Sequence, residues 1–182
     1  LSDESKKATI LLADDNADMR HYIHQILAKH YQIIAVNNGL EALKAAKQNR
    51  PDLILSDVMM PQMTGFELVD NLRQDPKLKL VPIILLSARA GEEAKIEGLE
   101  IGADDYLIKP FSALELLTRI KTHLNMQKIR LAAQDELKRS EERYQLLYCW
   151  ERKTREIMQN FQKHLDVDEI FQYVVQAIGH HI

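Results

Sequence analysis

Short apolar runs alternate with helix-period segments over the first two thirds of the chain. The runs are "TILLA" (9–13), "YQIIAV" (31–36), "DLILS" (52–56), "VPIILLS" (81–87) and "DYLI" (105–108). Between them, apolar residues recur at three-four spacing over 17–29, 39–48, 65–74, 91–101 and from 112 onward. Runs that are apolar throughout predict strands covered on both faces, as in a parallel sheet. Five strand–helix alternations predict an α/β fold with a doubly wound, five-stranded parallel sheet. Punctuation agrees with this division. Asn38-Gly39 turns into the second helix, Arg50-Pro51 precedes the third strand, Pro61 and Gly65 shape the loop after it, and Gly91, Gly98 and Gly102 flank or interrupt the fourth helix.

The pattern changes after Pro110. No Gly or Pro occurs from Phe111 to Ile178. "SALE" (112–115) has the form of a capping box, with Ser112 as N-cap and Glu115 at N3. Nothing in the sequence stops that helix before "HLDVDEIF", where Asp166 and Glu169 form a second such box. Leu117, Ile120, Leu124, Leu131, Leu137, Tyr144, Leu147, Trp150, Ile157, Phe161 and Leu165 recur at roughly three-four spacing in imperfect register. The expectation is one long helix, either a short parallel coiled coil that makes a homodimer or a signalling helix between domains; the alternative is two helices folded back near "AAQDE".

Composition narrows the function classes. The chain has 182 residues, a net charge of -3 and a pI of about 6.2, against the basic excess of a nucleic-acid surface. Its one cysteine, Cys149, excludes an intrachain disulfide and suits a cytoplasmic location. No apolar run approaches the ~20 residues that span a bilayer, so neither nucleic acid nor membrane is expected as a partner of this segment. The first residue is Leu rather than Met, and the expectation is a piece of a longer protein.

In a parallel sheet, chemistry gathers at the carboxyl ends of the strands. The residues at those ends are Asp14 and Asp15 after the first strand, Asp57 at the third, Ser87 at the fourth, and Lys109-Pro110 at the fifth. Three carboxylates brought together without a cation would repel, and one would keep a proton. A Mg²⁺ ion takes carboxylate and carbonyl oxygens. Its charge of about +2 and about +1 from Lys109 balance about -3 from the acids. Such a pocket suits an incoming phosphoryl group, with a carboxylate as nucleophile and Ser87 as a further donor. Taken singly, Asp14 or Asp57 reads as a helix cap, Ser87 as a strand-end hydroxyl, Tyr106 as a core aromatic and Lys109 as a solvated cation. Asp104 and Asp105 precede the fifth strand, at the opposite edge, and read as structural; Glu92, Glu93 and Lys95 read as a solvated helix face.

Residues 9–125 resemble the receiver domain of two-component response regulators. The stretches "ILLADDN" (10–16), "LILSDVMMPQMTGFEL" (53–68), "PIILLSA" (82–88) and "GADDYLIKPF" (102–111) carry the resemblance together. It implies strand order 2-1-3-4-5 and a cis bond at Lys109-Pro110. It implies Asp57 as phosphoacceptor and Asp14 and Asp15 as the acid pair that holds Mg²⁺, Asp15 directly and Asp14 through water. The backbone carbonyl of Met59 would be a further metal ligand. Ser87 would be the switch hydroxyl, Tyr106 the switch aromatic that rotates inward on phosphorylation, and Lys109 the phosphate-contacting lysine. Met59 and Arg89 occupy positions that tune phosphate lifetime in the family. The implied partner is a histidine kinase or phosphotransfer domain, and the module turns over no external substrate.

The domain expectation is a receiver over 1–125, a helical linker or coiled coil over 126–165, and at 166–182 a segment resembling the opening helices of a GAF domain. A hybrid sensor histidine kinase is the first expectation for the parent protein; a receiver with a cyclase or DNA-binding output is the alternative. A Mg²⁺-dependent phosphatase of related topology would usually carry a second acid two residues after the nucleophile, where this chain has Met59. A pseudo-receiver would lack site residues that are all present. His164, His180 and His181 sit in no phosphoacceptor motif and read as solvated.

Overall fold

The computed structural model describes residues 7–88, 100–164, 171–172 and 175–176. The fourth-helix segment up to 99, Arg89, the second capping box and nearly all of the GAF-like segment lie outside the described residues. The described elements run β1 (Thr9–Ala13), α1 (Ala17–Leu27), β2 (Gln32–Val36), α2 (Gly39–Gln48), β3 (Leu53–Asp57), α3 (Gly65–Gln74), β4 (Ile83–Ser87), β5 (Asp105–Ile108) and α4 (Ala113–His164). Contacts divide the chain into two compact units, Leu1–Arg130 and Leu131–Ile182.

In the first unit the five strands form one parallel sheet in the order β2-β1-β3-β4-β5. Alternate residues along each strand face opposite sides, and two core clusters result. Leu11, Ala13, Ile54, Ile83 and Leu85 pack with Ala42, Leu43 and Ala46 of α2 and Leu68, Val69 and Leu72 of α3. Ile10, Leu12, Leu53, Leu55, Ile84, Leu86 and Leu107 pack with Ile23 and Leu27 of α1 and Leu116, Ile120 and Leu124 of α4. The first turns of α4 are therefore part of the core of this unit.

The expected two-sided cover holds for β3 and β4, which are buried throughout, and fails for β2. As an edge strand, β2 leaves Gln32 and Ala35 exposed. Helix α1 stops at Leu27 rather than at 29, because the backbone N–H groups of His30 and Tyr31 both turn back onto the Leu27 carbonyl. Gly102 has φ +107°, the left-handed region that glycine enters freely, and the Arg73 side chain lies over it.

Helix α4 is continuous for 52 residues, so the folded-back alternative near "AAQDE" is not what the chain adopts. Ser112 Oγ accepts from the Glu115 N–H at 3.1 Å, as a cap does. The Glu115 carboxylate pairs with Arg119 at 3.2 Å one turn on. In the second unit Leu137, Tyr144, Leu147, Trp150 and Ile157 are all exposed, as is Cys149. No described helix is long and apolar enough to cross a membrane.

Candidate functional site

The site lies at the carboxyl edge of the sheet, and each strand delivers its residue there by its length. Asp14 follows β1 and is fully buried. Its carboxylate is held on both oxygens: Oδ1 accepts the Asn16 N–H at 2.9 Å and Oδ2 accepts from Lys109 Nζ at 2.8 Å. Asp15 is exposed, and no described residue donates to its carboxylate. Asn16 caps α1 by accepting the Met19 N–H at 3.0 Å. Arg20, half-buried at the end of the first turn of α1, sends Nη1 back to the carbonyls of Asp14 and Asp15 at 2.7 and 2.9 Å.

Asp57 is the last residue of β3. A side-chain carbon at Gly65 would collide with the Asp57 carbonyl, so only glycine lets α3 begin directly against this strand end. The Gly65 N–H donates to the Val58 carbonyl at 2.8 Å and ties the two together. Thr64 and Glu67 close a full capping box at the start of α3. Between them and the strand, Gln62 takes a left-handed φ of 68°. Ser87 ends β4 and is buried, and its carbonyl accepts the Lys109 N–H at 2.7 Å. The Lys109-Pro110 bond is cis.

Lys109 is the electrostatic centre. Its Nζ donates to Asp14 Oδ2 and Asp57 Oδ2, both at 2.8 Å. Burial works against the ammonium, but hydrogen bonds and charge from Asp14 and Asp57 outweigh it and raise its pKa. Asp57 moves the other way from a typical paired acid. Burial pushes its pKa up; the Lys109 hydrogen bond and charge pull it down and the charge of Asp14 pushes it up again, leaving it raised. The Met59 N–H approaches Asp57 Oδ1 only at 3.4 Å.

One carboxylate oxygen from each of Asp14, Asp15 and Asp57 falls in a group whose members lie within 4.8 Å of one another. The donor set is all oxygen, with one carboxylate raised in pKa by burial and one open to solvent. That chemistry fits a hard divalent cation such as Mg²⁺ and does not favour a thiophilic metal.

The structure thus brings together Asp14, Asp15, Asp57 and Lys109, with Ser87 on the same edge. Tyr106 lies apart from them, one strand pair inside β5 and 3% exposed, in the cluster that faces α2 and α3. The ring already lies inside, in the position expected of it on phosphorylation. Its buried hydroxyl has no hydrogen-bond partner among the described residues. The Met59 side chain is 64% exposed. Asp104 and Asp105 are structural, as expected: Asp104 receives Arg73 at 2.7 Å and the Ile83 N–H, and Asp105 receives Arg119 and His123 from α4. Sequence reasoning passed over Arg20 and Asn16; the only signal was a cap residue and a cation within one or two turns of the acid pair.

A family model described as the response regulator receiver domain matches residues 10–121. A histidine kinase P4 of Formosa agariphila is 44% identical over 71% of this chain, and a hybrid signal transduction histidine kinase D of Dictyostelium discoideum is 38% identical over 72%. The matched stretch spans only 9% and 8% of those two relatives. Among solved structures, the receiver domain of a sensor histidine kinase from Pseudomonas aeruginosa, with magnesium coordinated in its active-site cleft, is 31% identical with a TM-score of 0.62. That likeness covers 65% of this chain and 98% of the other.

Proposed function

The chain belongs to the response regulator receiver domain family, and from that premise we propose that Asp57 accepts a phosphoryl group from a phosphohistidine of a kinase or phosphotransfer domain. The observation that carries this reading is the Lys109 bridge between Asp14 and Asp57 beside an open Asp15. A carboxylate oxygen of Asp57 forms the new bond to phosphorus. The phosphorus–nitrogen bond of the donor breaks, its electron pair stays on the imidazole, and that nitrogen takes a proton from solvent. The product is an aspartyl phosphate.

Each residue has a part in that transfer. An ammonium has three N–H donors; among the described residues Lys109 commits two of them to carboxylates, and the third is available to a phosphoryl oxygen. Ser87 Oγ, at the adjacent strand end, supplies a hydroxyl. Asp15 would be the direct Mg²⁺ ligand of the acid pair, because Asp14 is fully buried with a close donor on each oxygen, whereas Asp15 is exposed and has no donor among the described residues. Asp57 and the Met59 carbonyl would complete the protein ligands, and Asp14 would act through water. When bound, Mg²⁺ neutralises charge on the transferring oxygens. The exposed thioether at Met59 offers no general acid, which disfavours a phosphatase.

The module works in the cytoplasm, within a hybrid sensor histidine kinase, and its long helix makes a homodimer and carries the switch onward as the linker over 126–165. Treatment with acetyl phosphate and Mg²⁺, followed by intact mass, tests the acceptor. We expect a ~80 Da adduct in wild type and none in Asp57→Asn or in chelator. An adduct that persists in Asp57→Asn overturns the reading.

A further inference from the structure

The geometry points to Arg20 as the residue that positions the metal-binding acid pair from behind. This inference rests on the Mg²⁺ reading of the site and extends it to a side chain that touches none of the metal-facing oxygens. Asp14 is fully buried, so its backbone carbonyl needs an internal donor. Arg20 supplies it at 2.7 Å, and the same Nη1 holds the Asp15 carbonyl at 2.9 Å. Two consecutive peptide units are thereby fixed, and with them the directions in which the Asp14 and Asp15 side chains leave the backbone. Asn16 adds a third restraint, its N–H on Asp14 Oδ1 at 2.9 Å.

The contrast with Lys109 shows what kind of role this is. Lys109 places its charge on the carboxylate oxygens of Asp14 and Asp57, where it balances them directly. Arg20 is an equally strong donor four residues into α1, yet among the described residues it bonds carbonyls and no carboxylate. The metal-facing oxygens of Asp15 stay open as a result. A cation that bonded them would compete with Mg²⁺; one that bonds the carbonyls behind them orients the ligands and leaves their charge available. Restraints of this kind around a metal site commonly change affinity by about tenfold or more when removed.

Two accounts of Arg20 predict opposite signs. A mere positive charge near the site opposes Mg²⁺, so its removal would tighten binding. A positioning residue orders the ligands, so its removal weakens binding. Calorimetric titration of Mg²⁺ into the 182-residue chain, as wild type, Arg20→Ala and Arg20→Lys, separates them, with metal-free melting midpoints measured alongside. We expect about tenfold weaker binding in Arg20→Ala, partial recovery in Arg20→Lys, and metal-free midpoints close to wild type. Acetyl phosphate labelling of Arg20→Ala should recover at saturating Mg²⁺. Equal or tighter binding in Arg20→Ala overturns the inference. So does a loss of affinity matched by a collapse of the metal-free midpoint, since that is a folding role alone. A wild type that binds no Mg²⁺ removes the metal reading and this inference with it, whereas a binding wild type beside an unaltered Arg20→Ala removes this inference alone.

Discussion

Without a bound cation, burial makes the ionised Asp57 carboxylate a cost to stability. Its raised pKa means that the folded chain holds a proton at pH values where the unfolded chain has lost it. Stability from this group therefore rises as pH falls through the folded value, and at neutral pH the ionised carboxylate is unfavourable. Asp57→Asn should raise the metal-free melting midpoint by about 2–5 °C, measured by circular dichroism at pH 7 in chelator. A lower midpoint would mean that the Lys109 pair outweighs the burial. Lys109 has the opposite balance, since it is the shared donor to two acids. Lys109→Met should slow acetyl phosphate labelling by about 10²-fold, as loss of one preorganised donor to a developing charge does. An unchanged labelling rate would remove Lys109 from the transfer.

At the scale of elements, α4 is tied to β5 by charge as well as by its apolar face. Arg119 and His123 reach back to Asp105 at 2.8 and 3.1 Å, at the edge of the sheet opposite Asp57. Burial works to raise the Asp105 pKa, but the hydrogen bonds from His123, Arg119 and the Tyr106 N–H win and lower it to about 2. A depressed carboxylate stabilises above its ordinary value, near ~4, and that contribution disappears as pH falls through about 2. Thermal midpoints measured from pH 5 down to pH 2 should therefore fall less steeply in Asp105→Asn than in wild type. The variant should also melt a few degrees lower at pH 7. Parallel curves would mean that the cluster adds nothing. Beyond Arg130 the same helix exposes Leu137, Tyr144, Leu147, Trp150 and Ile157. The proposed dimer buries them, so Leu147→Glu should weaken self-association by about tenfold or more in sedimentation equilibrium. A wild type that stays monomeric at every concentration would end the dimer proposal.

For the whole molecule, the alternation of apolar runs and helical periods carried the architecture, because a two-sided parallel sheet writes its burial directly into each strand. β3 and β4 show this best, being buried from end to end. It failed at β2, since an edge strand exposes residues that a run such as "QIIAV" does not distinguish from core. The site was legible for a related reason. A polar residue that ends a buried strand stands out against its neighbours, and Asp14, Asp57, Ser87 and Lys109 all do so. Arg20 was not legible, because in the sequence a cation in a first helical turn looks the same whether it meets water or two carbonyls. The inward state of Tyr106 was not legible either, since strand periodicity gives the face and not the rotamer.

The central claim is that Asp57 receives the phosphoryl group. Its most direct test is to label the protein with acetyl phosphate and Mg²⁺, trap the acyl phosphate by borohydride reduction, and locate the reduced residue by peptide sequencing in the mass spectrometer. The expected result is reduction at Asp57 alone, dependent on Mg²⁺. Reduction at Asp14 or Asp15, or Mg²⁺-independent labelling, would contradict it.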